Sequence, residues 1–113
     1  MHIKFEYFHG TMENLFQWCG NHVLTLNDEE LEGVIYEEYM FYSTDLHEDN
    51  RLAFLQAGYI NNEIAQKMKI IYDMSAELFD EKVEFSAKFV RNSPAWKQVF
   101  DLMDEIKKEI NLQ

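Results

Sequence analysis

Two stretches of this chain repeat apolar side chains at intervals of three and four residues, a period that suits amphipathic helices packed on one another. In the later stretch Ser93 stands before Pro94, and Trp96, Val99, Phe100, Met103, Ile106 and Ile110 follow at helical steps. A serine oxygen can accept a bond from a free amide of the first turn, and a proline at the first helical position has no N–H to leave unsatisfied. A helix over about 94–111 is therefore expected, with Lys97, Asp101, Asp104, Lys107 and Lys108 on its solvated face. In the earlier stretch Asn61 or Asn62 supplies the cap, and Ile64, Met68, Ile71, Ser75 and Leu78 form the apolar stripe. Phe79, Val83, Ala87 and Val90 keep the step, so this helix is expected to continue to Arg91. Residues 82–90 also alternate as a strand would, and a break near Asp80 is the competing reading.

The first half is less regular. Asn27 precedes Asp28, Glu29 and Glu30, whose carboxylates suit the positive end of a helix dipole, and Leu31, Val34, Ile35 and Tyr42 fall near one face. This predicts a helix over about 28–41. Thr11 is expected to cap a short helix through Leu15, Phe16 and Cys19 that ends at Gly20, and residues 51–57 form another that closes at Gly58. Ile3, Phe5 and Tyr7 alternate with polar neighbours, so residues 22–26 could pair with them as a minor hairpin. A chain that is 47% hydrophobic with 4 Gly and 1 Pro is not a linker or a disordered tail. The expected fold is mainly α: one domain over 1–113, a helical bundle of about five helices, with a short N-terminal strand or hairpin as an option.

The net charge is −11, and its placement matters more than its size. After Lys4 no lysine or arginine occurs until Arg51, while eleven acids lie between them; beyond residue 50, nine lysines and arginines and ten acidic residues nearly balance. A negative field of that asymmetry favours encounter with a cationic partner and repels nucleic acid and anionic membranes. Solubility alone is the plainer use of the same charge. Cys19 is the only cysteine, which excludes an internal disulfide. There is no apolar run of roughly 18 residues, and the start MHIKFEYF lacks a basic segment followed by an apolar one, so a cytoplasmic protein is expected.

Chemical motifs are sparse. Glu6 and His9 make one Glu-x-x-His, but a di-iron bundle needs a second copy and two more glutamates. Asp45, His47, Glu48 and Asp49 lack the periodic oxygens and central glycine of a calcium loop. Cys19 and His22 have the spacing of an activated thiol, yet nothing nearby suggests an oxyanion hole, and Cys19 fits an apolar helix face. No Gly-rich phosphate loop or Gly-x-Ser-x-Gly elbow is present. Neither catalysis, a cofactor nor a metal is expected. Residues 55–68, LQAGYINNEIAQKM, resemble the first half of a response-regulator helix-turn-helix, which would imply DNA binding. The continuation carries Asp73, Glu77, Asp80 and Glu81 where a recognition helix needs cations.

An aromatic and acidic middle remains: Tyr36, Glu37, Glu38, Tyr39, Phe41, Tyr42, Asp45, His47, Glu48 and Asp49. Tyrosines serve as rigid anchors at interfaces, and carboxylates make charge-assisted bonds to Arg or Lys. Glu37, Glu38, Tyr39, Tyr42, Asp45, Glu48 and Asp49 are accordingly the expected contacts to a basic protein. In size, charge and texture the whole chain resembles the immunity proteins of bacterial contact-dependent inhibition and related polymorphic toxin systems. That resemblance implies a toxin domain as partner, often a nuclease with a basic cleft, and transfers no functional residue. A phage-encoded inhibitor such as an anti-CRISPR or other nucleic-acid mimic would show the same acidic face.

Overall fold

The computed structural model describes residues 4–80 and 86–110. In chain order it contains α1 (Phe5–Trp18), a 3₁₀ turn (Asn21–Thr25), α2 (Asp28–Gly33), a π-helical turn (Val34–Tyr39), α3 (Met40–Tyr42) and a second 3₁₀ turn (Ser43–Leu46). Then follow α4 (Glu48–Gln56), α5 (Asn62–Asp80), α6 (Ala87–Asn92) and α7 (Pro94–Glu109). The fold is the mainly helical bundle that the apolar period implies, in more pieces than five. No strand occurs among the described residues.

The two regular stripes build the centre. α5 buries Ile64, Met68, Ile71, Ser75 and Leu78, and α7 buries Trp96, Val99, Phe100, Met103 and Ile106. These two helices form the most extensive pair in the molecule. Their starts are fixed by side chains: Asn61 Oδ1 accepts from the Ile64 amide at 2.8 Å, and Ser93 Oγ from the Trp96 amide at 3.2 Å. Each such cap is worth about 1 kcal/mol against alanine. α7 ends with Ile110 as its C-cap, and the expected last residue, 111, lies outside the described ones.

Three expectations are corrected. The anticipated helix to Arg91 is not continuous: Ser86 is extended, with φ −83° and ψ 156°, and its hydroxyl accepts from the Phe89 amide at 3.1 Å, starting α6. A serine that caps locally competes with helix continuation, and α2 secures the new start because Glu32 Oε1 accepts from the Ala87 amide at 3.0 Å. Residues 81–85 of the anticipated helix lie outside the described ones. At the other end of α6, Arg91 bonds the Asp28 carboxylate and the Leu26 carbonyl.

Second, the minor hairpin does not form. Phe5 and Tyr7 belong to α1 and residues 21–25 to a 3₁₀ turn, while Ile3 lies outside the described residues. Third, Thr11 is a buried residue inside α1, not the cap of a short helix. The informative positions were Phe8, Met12, Leu15, Phe16 and Cys19, which are buried at helical steps, while Phe5 and Tyr7 are exposed.

The helix expected over about 28–41 is present and runs to Tyr42, but a wider π turn interrupts it. Its buried residues include Leu31, Ile35 and Tyr39, and Ser43 and Leu46 continue the line. Steps of four drift by about 40° each in an α-helix of 3.6 residues per turn, which would carry Ser43 far from the Leu31 face. A π turn inserts an extra residue and cancels that drift. Tyr39 thereby swings into the core and Tyr42 turns half outward.

Candidate functional site

The acidic and aromatic middle is laid out along α2, the π turn, α3, the second 3₁₀ turn and α4. Asn27 Oδ1 accepts from the Glu30 amide at 2.8 Å, which starts α2 with Asp28, Glu29 and Glu30 in its first turn. Glu37 is exposed and Glu38 half-buried on the π turn; Glu48 and Asp49 are both exposed at the start of α4. His47 caps α4, its Nδ1 accepting from the Asn50 amide at 3.3 Å. Buried Asn50 donates through Nδ2 to the Asp45 carbonyl at 2.7 Å and to the Tyr7 hydroxyl at 3.2 Å, so this corner is tied to α1. Asp45 is half-buried, and desolvation pushes its carboxyl above the ordinary value while His47 pulls it down.

Several of the cations are engaged elsewhere. Arg51 donates to the Leu46 carbonyl at 2.6 Å, and its guanidinium lies 5.5 Å from the centroid of the Tyr72 ring. Lys67 lies 3.3 Å from both Glu63 and Glu109, Lys69 lies 2.9 Å from Asp73, and Lys97 lies 3.0 Å from Asp101. Exposed pairs of this kind add little stability, but they show where the positive charge resides. Among the described residues, Asp28 with Arg91 is the one ion pair between an acid of the first half and a lysine or arginine. Glu37, Glu38, Asp45, Glu48 and Asp49 have no such pair there.

The two tyrosines expected as contacts differ. Tyr39 is 0% exposed and offers nothing to a partner. Its hydroxyl lies 2.6 Å from Ser75 Oγ, and its ring stands edge-on to Trp96 with centroids 5.9 Å apart. Tyr42 is half-buried, with Phe41 packed edge-on against it at 5.1 Å. The aromatic surface is made instead by Phe41, 68% exposed, and Tyr36, 39% exposed. Sequence reasoning placed both in the aromatic middle without choosing them as contacts.

The other candidate groups have local roles. Cys19 is buried beside Tyr39, and desolvation pushes its thiol well above the ordinary value of 9.0, the reverse of what an activated nucleophile needs. His22 is exposed, with Nε2 2.8 Å from the Gln17 carbonyl oxygen. His9 Nδ1 lies 3.3 Å from Glu13. Among the described residues no three His, Cys, Asp or Glu side chains gather as metal ligands would. α5 runs unbroken from Asn62 to Asp80, so residues 55–68 do not open a helix-turn-helix. No described helix is long and apolar enough to cross a membrane. Compared with known proteins, the chain matches no family model, no curated sequence and no solved structure.

Proposed function

We propose that this chain is an acidic binding protein that neutralises a basic protein partner, of the type of an immunity protein blocking a nuclease-like toxin domain in the cytoplasm. The observation that carries the reading is the charge arrangement: five of the expected contact carboxylates have no Lys or Arg partner among the described residues. Carboxylates held this way strengthen their own field, speed encounter with a basic cleft, and remain available for charge-assisted bonds. Glu37, Glu48 and Asp49 are the exposed members, and Glu38 and Asp45 the half-buried ones, as is Tyr42.

The test is capture by the tagged full chain from its native host, followed by mass spectrometry and a binding isotherm with the protein retained. The expected partner is basic, and its affinity falls with salt. Glu37→Lys, Glu48→Lys and Asp49→Lys together weaken it at least tenfold, about 1.4 kcal/mol, without changing the helical spectrum. Recovery of only neutral or acidic partners overturns the reading.

A further inference from the structure

We infer that the exposed side of the π turn and α3, carrying Tyr36, Glu37 and Phe41, is a docking face for a cationic segment that also presents an apolar side chain, with Phe41 as the anchor. The inference rests on the basic-partner reading and adds the apolar half of the contact.

Phe8, Phe54 and Phe100 are fully buried, yet Phe41 leaves 68% of its surface in water. A single exposed apolar residue is ordinary, but Tyr36 is exposed on the same stretch, and Glu37 stands between them. The Tyr42 ring supports the Phe41 ring edge-on at 5.1 Å, so the anchor is partly oriented before anything binds. Rigid aromatic rings that lose little freedom on contact are the residues that concentrate binding energy.

Charge decides the occupant. A second copy brings the same net −11, and nucleic acid or an anionic bilayer is repelled by the same field. A segment with lysine or arginine on either side of a leucine or tryptophan satisfies both features. Its apolar group covers Phe41, its cations reach Glu37 and Glu38, and a cation over the Tyr36 or Phe41 ring adds a cation–π contact.

Two peptides of equal charge test this with the full-length, ¹⁵N-labelled chain at low salt: one alternates Lys pairs with Leu and Trp, and the other has Gly in place of every apolar residue. The expected result is that the apolar peptide binds about tenfold more tightly and that its amide shifts concentrate at residues 36–42. Phe41→Ser removes that advantage and leaves the glycine peptide's affinity unchanged, while Phe41→Tyr preserves the advantage. If both peptides bind but Phe41→Ser affects neither, or the shifts lie on another face, the docking face is overturned and the basic-partner reading stands. If neither peptide binds, both are overturned.

Discussion

Tyr39 places a hydroxyl at the centre of the core, between Ser75 at 2.6 Å and the buried thiol of Cys19. Burial holds both the phenol and the thiol in their neutral forms by raising their proton affinity. In the unfolded chain the thiol ionises near 9.0, whereas in the native protein it stays protonated. Above that pH the native state therefore binds more protons than the unfolded state, and stability falls as pH rises. Urea midpoints measured from pH 8 to 10.5 are expected to decline, with Cys19 contributing up to about 1.4 kcal/mol per pH unit and Cys19→Ala removing its share of the slope. An unchanged slope in that variant would show that the thiol ionises freely in the folded state. At Gly20 the constraint is backbone: φ is 142° and ψ 172°, and a Cβ would meet Asp104 Oδ1 at 2.6 Å. Asn21, the next residue, bonds Asp101 and Asp104 through Nδ2 at 2.8 Å each, docking the turn on α7. Gly20→Ala should cost about 1–3 kcal/mol in thermal unfolding. Gly33→Ala, in a helical conformation with nothing within 4 Å, should gain about 0.5–1 kcal/mol.

At the scale of elements, the π turn explains how the 28–42 stretch joins core and surface. Removing one residue from it would space Leu31, Ile35, Tyr39, Ser43 and Leu46 by four, three, four and three, the steps of an ordinary α-helix face. Deleting exposed Glu37 is therefore expected to convert the turn to α-helix while Tyr39 keeps its bond to Ser75. Such a chain should stay folded, with helical circular dichroism retained and stability within about 2 kcal/mol of the parent. A deletion that unfolds the chain would show that the extra residue is not a simple insertion. π turns are rare and are found frequently at functional sites, and Tyr36 and Phe41 are exposed along this stretch. By contrast, the buried stripes of α5 and α7 were legible, although α5 ends at Asp80 and does not continue to Arg91. Each has a side-chain cap and one unbroken apolar stripe, and local rules suffice where period and burial agree.

For the whole molecule, the balance of charge is uneven. Lys67, Lys69 and Lys97 sit against acids of the second half, while among the described residues Asp28, paired with Arg91, is the one acid of the first half with a lysine or arginine partner. The folded state therefore carries repulsion that salt can screen. Raising NaCl from 20 to 500 mM is expected to increase the thermal midpoint by about 3–6 °C, since exposed ion pairs contribute less than the repulsion removed. A falling midpoint would mean that the ion pairs dominate. The same screening slows association with a basic partner, which separates an electrostatic contact from a purely apolar one.

By itself the amino-acid order determined the helical class, the caps at Asn27 and Ser93, a cap at Asn61 or Asn62, the stripes of α5 and α7, and the acidic bias of the first half. These follow from local spacing, capping chemistry and charge count, none of which needs a partner element. Only the tertiary structure decided that Ser86 restarts a helix, that Tyr39 is core and Phe41 surface, and that Arg51 answers a carbonyl and a ring in place of a carboxylate. Each of those outcomes depends on what another segment brings alongside: Glu32 at the Ala87 amide, Ser75 at the Tyr39 hydroxyl, and Tyr72 beneath the Arg51 guanidinium.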